Sequence, residues 1–170
     1  METQKQSIKN LIFTFGFILA LLSILLSVVK YVMGRHLENS TVDSIIGLVL
    51  LIGLVAYPIT LFKKQNNGYI NLSQSLKIGL GVAAVAAIIS VIYFVIFANY
   101  IEPEFVNDVM SAEMSRQMKA NPNMSKADLD KGIEIGKKFV LPMLYGGIII
   151  VNLILGFITS LITGLAIKKE

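Results

Sequence analysis

Cysteine is missing from this 170-residue sequence, and histidine occurs once, as His36. The first absence excludes disulfides, thiolate metal sites and cysteine nucleophiles. The second excludes a histidine metal cluster. Charge is scarce as well. Charged residues make up 15% of the chain, against about a quarter in a soluble domain. That charge is unevenly spread: residues 101–138 hold seven of the eleven acidic residues, and long stretches elsewhere hold none. This is segregation by solvent rather than an amphipathic surface. The net charge of +4 is mild. The lysines sit in short groups beside apolar runs, where anionic headgroups would meet them. No basic stripe interleaved with exposed aromatics is present, so nucleic acid is not an expected partner.

What the chain does have is apolar sequence, 55% of it. A helix crossing a bilayer needs about 20 apolar residues, because ~30 Å of hydrocarbon is covered at ~1.5 Å per residue. Residues 11–33, 45–62, 78–100 and 141–167 meet this requirement. Helices are the expected form, since each satisfies its own backbone where water is absent. Barrel strands would alternate, and these runs do not. The first run could serve as a secretory signal, with Lys5 and Lys9 in its leader. It is longer than the usual ~7–15 residues, and no small-x-small cleavage site follows, so a retained span is expected. The fold class is therefore all-α: a four-transmembrane-helix bundle in one integral membrane domain, with a helical extramembrane loop over residues 102–138.

Four crossings place both termini on one side of the membrane. The positive-inside rule counts lysine and arginine in short flanks. Lys63-Lys64 and Lys168-Lys169 close the second and fourth spans alike, which fits a shared cytoplasmic face.

Small residues recur along single helix faces. The fourth span carries Asn152, Gly156, Ser160 and Gly164 at four-residue intervals; the first carries Gly16, Ala20, Ser23 and Ser27; the third carries Gly79, Ala83 and Ala87. In lipid such faces let backbones approach closely. They can serve packing within one chain, a homo-oligomer seam, or a seam with another membrane protein. Asn152 is the strongly polar side chain deep in a span, and a hydrogen bond across helices is its expected use. With Thr159, Thr163 and Ser90 it would also line any solute path. No charge lies near mid-bilayer, which argues against an ion-coupled transporter. Lys30, on the small face of the first span, is expected to snorkel to the surface or to plug a cavity mouth.

The loops carry their own logic. Asn66-Asn67-Gly68 is a turn signal, after which Asn71 or Ser73 caps the third helix. Gln74 lies three residues beyond Asn71, an approximate capping box. Beyond the third span, Pro103 fits a first helical position, with Glu102 and Glu104 at the positive end. Met110, Met114 and Met118 follow at four-residue intervals. Asn121-Pro122-Asn123 breaks this helix, and Ser125 with Asp128 restarts it. Two short amphipathic helices result, lying on the membrane or across the mouth of the bundle. Thioethers suit copper(I), which makes the three methionines candidate ligands; an adaptable apolar face is the plainer reading. No nucleophile–base pair is visible. The expectation is thus a protein without catalytic residues or cofactor, serving a structural, scaffolding or partner-modulating role. A small-solute transporter or channel subunit is the alternative.

Several motifs occur in a telling order. An apolar hairpin leads to Asn67-Gly68-Tyr69-Ile70 and on through Gln74, Leu76, Lys77 and Gly79. Ile92-Tyr93 then leads to Ile101-Glu102-Pro103-Glu104-Phe105, and a Met-rich loop precedes a glycine-rich last helix. In this the chain resembles the domain-of-unknown-function 4199 family over roughly residues 8–168. The resemblance implies a small four-span protein of the bacterial inner membrane. It brings no activity, cofactor or catalytic residue.

Overall fold

The computed structural model describes residues 7–38, 40–120 and 126–169, with no side-chain detail for 126–130. Five α-helices occur in this order: α1 (Ile8–Val32), α2 (Thr41–Gln65), α3 (Leu72–Ile96), α4 (Phe105–Ala120) and α5 (Lys126–Ile167). A π-helical turn, Phe97–Ile101, extends α3. Among the described residues there is no strand. The helices α1, α2, α3 with its π turn, and α5 are long and apolar enough to cross a membrane. Four such helices point to a membrane protein, and the outside of the bundle agrees. Phe13, Phe17, Leu25, Val49, Ile88, Ile154 and Ile162 all stand exposed. An apolar belt of that extent belongs in lipid rather than water.

Helices α1, α2 and α3 each start where a side chain can satisfy orphan backbone donors. The Ser7 hydroxyl accepts from the Asn10 N–H, and the Ser40 hydroxyl from the Asp43 N–H. Between the two candidate caps of α3 the structure selects Asn71. Its side chain accepts from the Gln74 N–H at 2.8 Å, and the Gln74 side chain accepts from the Asn71 N–H at 3.1 Å. That closes a reciprocal capping box. Asn67 and Gly68 take positive φ, which is the conformation the Asn-Asn-Gly turn requires. The sequence places Pro103 in the first turn of α4, but the helix begins at Phe105. The α3 backbone must first unwind: the π turn ends with the Glu102 N–H donating to the Phe97 carbonyl at 2.9 Å. The expected chain break at Asn121-Pro122-Asn123 and the Ser125–Asp128 cap lie outside the described residues or side chains. From Lys126 onward one helix runs to Ile167 through Pro142.

The spine of the bundle is α3, which packs along both α1 and α5, while α2 touches all three. Its buried residues are Ser75, Ile78, Gly79, Val82, Ala83, Ala86 and Ala87. They recur at three- and four-residue steps and are mostly small, so neighbouring backbones can close on them. Two ends result. The proximal end holds the chain termini and the α2–α3 turn. The distal end holds the α1–α2 connection, the π turn and α4.

Candidate functional site

The small-residue seam is tight. A Cβ placed on Gly79 would collide with Ser160, and one on Gly156 with Ala83. A Cβ on Gly164 would lie 2.8 Å from the Ser75 Cβ, and one on Gly16 2.7 Å from Val85. Ala20, Ala83 and Ala87 are buried in the same packing. Ser23, one turn beyond Ala20, is exposed and lines a cleft. The buried hydroxyls satisfy themselves locally: Ser160 donates to the Phe157 carbonyl and Ser75 to the Asn71 carbonyl. Asn152 departs from the expected cross-helix bond. Its amide donates at 2.8 Å to the Ile148 carbonyl on its own helix, the i−4 back-bond open to short polar side chains. Thr159 is buried beside the Gly156–Ser160 contact with α3. At this level α3 and α5 meet backbone to backbone.

The methionine ladder divides. Met110 and Met114 line a small cavity with Glu113, Gln117, Gly132 and Ile133. The Met110 sulfur sits where a Gly136 Cβ would be, 2.7 Å from that position. Met118 lies outside this lining and is half-exposed. Eight residues, a rise of about 12 Å along the helix, separate it from Met110. Met110 packs onto α5 as a knob on Gly136. Among the described residues, no three His, Cys, Asp or Glu side chains gather as a metal site would require.

Chemistry concentrates instead at the distal end. Lys30 neither snorkels free nor merely plugs a cavity. Its Nζ lies 3.1 Å from Asp43 Oδ2 and 3.4 Å from the Glu38 carbonyl, tying α1 to the start of α2. Arg35 Nε donates to Glu38 Oε2 at 2.9 Å. That carboxylate raises the hold of Arg35 on its proton; a guanidinium is charged regardless, so geometry changes and charge does not.

The lone histidine has a partner remote in sequence. His36 Nε2 is 2.9 Å from Glu102 Oε1, with both side chains largely buried. The distance is that of an ion pair, but the N–H axis is not aimed to make a hydrogen bond. His36 Nδ1 and Glu102 Oε2 also lack partners among the described residues. Aromatic rings wall the pair. Tyr31 stands edge-on to His36 at 5.3 Å and to Phe97 at 5.2 Å. Phe97 in turn packs against Phe94 and Phe105.

Two openings flank His36. One, of about 520 Å³, lies between the distal ends of α1 and α2. The other, of about 220 Å³, lies under α4 and is lined by Phe105, Val109, Arg116 and Leu144 among others. Helix α4 therefore lies across the mouth of the bundle, the second of the two placements open to it. Arg116 fastens it there by donating to the Leu37 carbonyl at 3.2 Å.

A family model described as "Protein of unknown function (DUF4199)" matches residues 14–169. The chain belongs to the DUF4199 family. No curated protein and no solved structure matches it. Within this DUF4199 chain the distal pairings were hidden from sequence. His36 and Glu102 lie on different connections, and no local pattern links them. The one signal in the sequence is that Lys30, Tyr31, Arg35, Phe97 and Glu102 gather at the ends of apolar runs.

Proposed function

We propose that this protein is a non-enzymatic component of the bacterial inner membrane that presents its distal helical hairpin, α4 and the first turns of α5, to another membrane protein. On this reading both termini are cytoplasmic and the hairpin stands on the opposite face. The observation that carries the reading is the unused apolar surface of the hairpin. Ile135, Phe139 and Met143 recur at four-residue intervals on α5 and are 60%, 57% and 72% exposed. The adjoining face of α5 is taken up by the Met110–Gly136 contact with α4. A second helix laid along the stripe would bury it. A different protein is favoured over a second copy, because the small-residue faces of α1, α3 and α5 are largely engaged within one chain.

The experiment is site-specific photocrosslinking in native membranes, with the probe at Ile135 or Phe139. A discrete heavier adduct containing a second polypeptide is expected, lost when the probe is moved to lipid-facing Phe13. Adducts with lipid alone from both hairpin positions would refute the reading.

A further inference from the structure

The larger distal opening has an asymmetry that a packing gap lacks. One end is charged, and the other sets the apolar side chains of Leu26, Val29 and Ile46 beside the neutral hydroxyls of Ser23 and Ser27. Lys30 marks where the apolar run of α1 stops, so it sits at headgroup level. Ser23 lies seven residues earlier, roughly 10 Å deeper along the helix. The cleft thus runs from headgroup level into the hydrocarbon, and its volume of about 520 Å³ is that of an ordinary ligand site. It also opens sideways. Val29 and Ile46 line it and are 45% and 40% exposed, on helices whose apolar outer surface suits lipid. An occupant can enter from the bilayer.

Both signs of charge stand at the mouth. Lys30 and Arg35 are cationic and Asp43 is anionic, all three lining the cleft. The Lys30 and Asp43 side chains keep 29% and 31% of their surface accessible, so a headgroup can reach them. The second contact of Lys30, to the Glu38 carbonyl, is long at 3.4 Å and readily exchanged for a charged oxygen. A purely anionic head would satisfy the cations and confront Asp43. A head carrying a phosphate and a primary ammonium matches both.

We propose that this cleft binds a zwitterionic aminophospholipid, with its phosphate on Lys30 and Arg35, its ammonium on Asp43, and an acyl chain over Leu26, Val29 and Ile46. The site stands apart from the exposed stripe on α5, so its failure leaves the hairpin reading intact.

The test is native mass spectrometry of the delipidated full-length protein in detergent, titrated separately with phosphatidylethanolamine, phosphatidylglycerol and soluble O-phosphoethanolamine. The wild type should retain phosphatidylethanolamine about fivefold better than phosphatidylglycerol, the ratio that ~1 kcal/mol of charge pairing gives. Asp43→Asn is nearly isosteric and leaves the Ser40 cap in place, because that bond uses the Asp43 backbone N–H. It should abolish the preference. Arg35→Gln, in an exposed loop, should weaken both lipids. Equal retention of the two lipids by the wild type, or an unchanged preference in Asp43→Asn, overturns the proposal. So does binding of O-phosphoethanolamine as tight as that of the lipid, which would assign the cleft to a soluble solute.

Discussion

The two ends of the bundle are closed by different means. At the proximal end the closure is mostly backbone. Ile70 and Lys169 exchange two hydrogen bonds of 3.1 and 3.0 Å, and Lys63 Nζ donates to the Ile167 carbonyl at 2.8 Å. The residues just beyond α5 are clipped to the α2–α3 turn, with the Lys169 ammonium over the Tyr69 ring. At the distal end the closure is made by side chains: aromatic edges, the Lys30–Asp43 pair and the His36–Glu102 pair. Backbone closure depends little on side-chain identity. Side-chain closure can be rearranged by one substitution or one ligand.

Substitutions should separate the two ends, and the largest effect is expected at the buried pair. His36→Leu takes away the polar neighbour 2.9 Å from the Glu102 carboxylate, and leaving a largely buried polar group without a partner costs about 3 kcal/mol. Hydrogen exchange should rise in α4 and the π turn while the Ile70–Lys169 bridge stays protected. The double variant His36→Leu/Glu102→Leu should recover most of the loss. Equal loosening of both ends would break the contrast.

Next in size is Gly164→Val, which drives a branched side chain into Ser75 and Leu72. Overpacking of this kind costs about 2 kcal/mol, read as a lower thermal midpoint in detergent, and exchange should rise at the proximal end first. Asn71→Ala removes the capping box of α3 and should cost about 1 kcal/mol, again at the proximal end. The smallest effect is expected at Asn152→Leu, within ~0.5 kcal/mol of wild type, because its bond is to its own helix and stays off the seam. A loss several times larger would mean that the side chain bridges helices after all.

What could be read from sequence followed local rules. Four apolar runs of spanning length, the Asn71–Gln74 box and the glycine spacing of α5 all rest on contacts within a few residues, or on solvent preference. Ends shifted where polar residues continue a helix beyond the hydrocarbon. Thr41–Ser44 add a turn to α2 ahead of the apolar run, and α5 reaches back to Lys126. The sites were less legible. The sequence suggested a cross-helix role for Asn152 because it cannot show which acceptor is nearer, and a mid-helix amide always has the i−4 carbonyl at hand. It presented Met118 as one of a ligand ladder because periodicity gives a face but not what covers it. His36 met Glu102 only through the packing of two connections, which no spacing encodes.

The scheme of four crossings with unlike ends can be tested by the sidedness of single cysteines, which the cysteine-free chain allows directly. Cysteines placed singly at Asn67 and Lys168 should react with an impermeant maleimide from one side of the membrane. Those at Glu38 and Met118 should react from the other. Labelling of Lys168 and Met118 positions from the same side would contradict the four-span arrangement, and with it the separation of an end closed by backbone from an end closed by side chains.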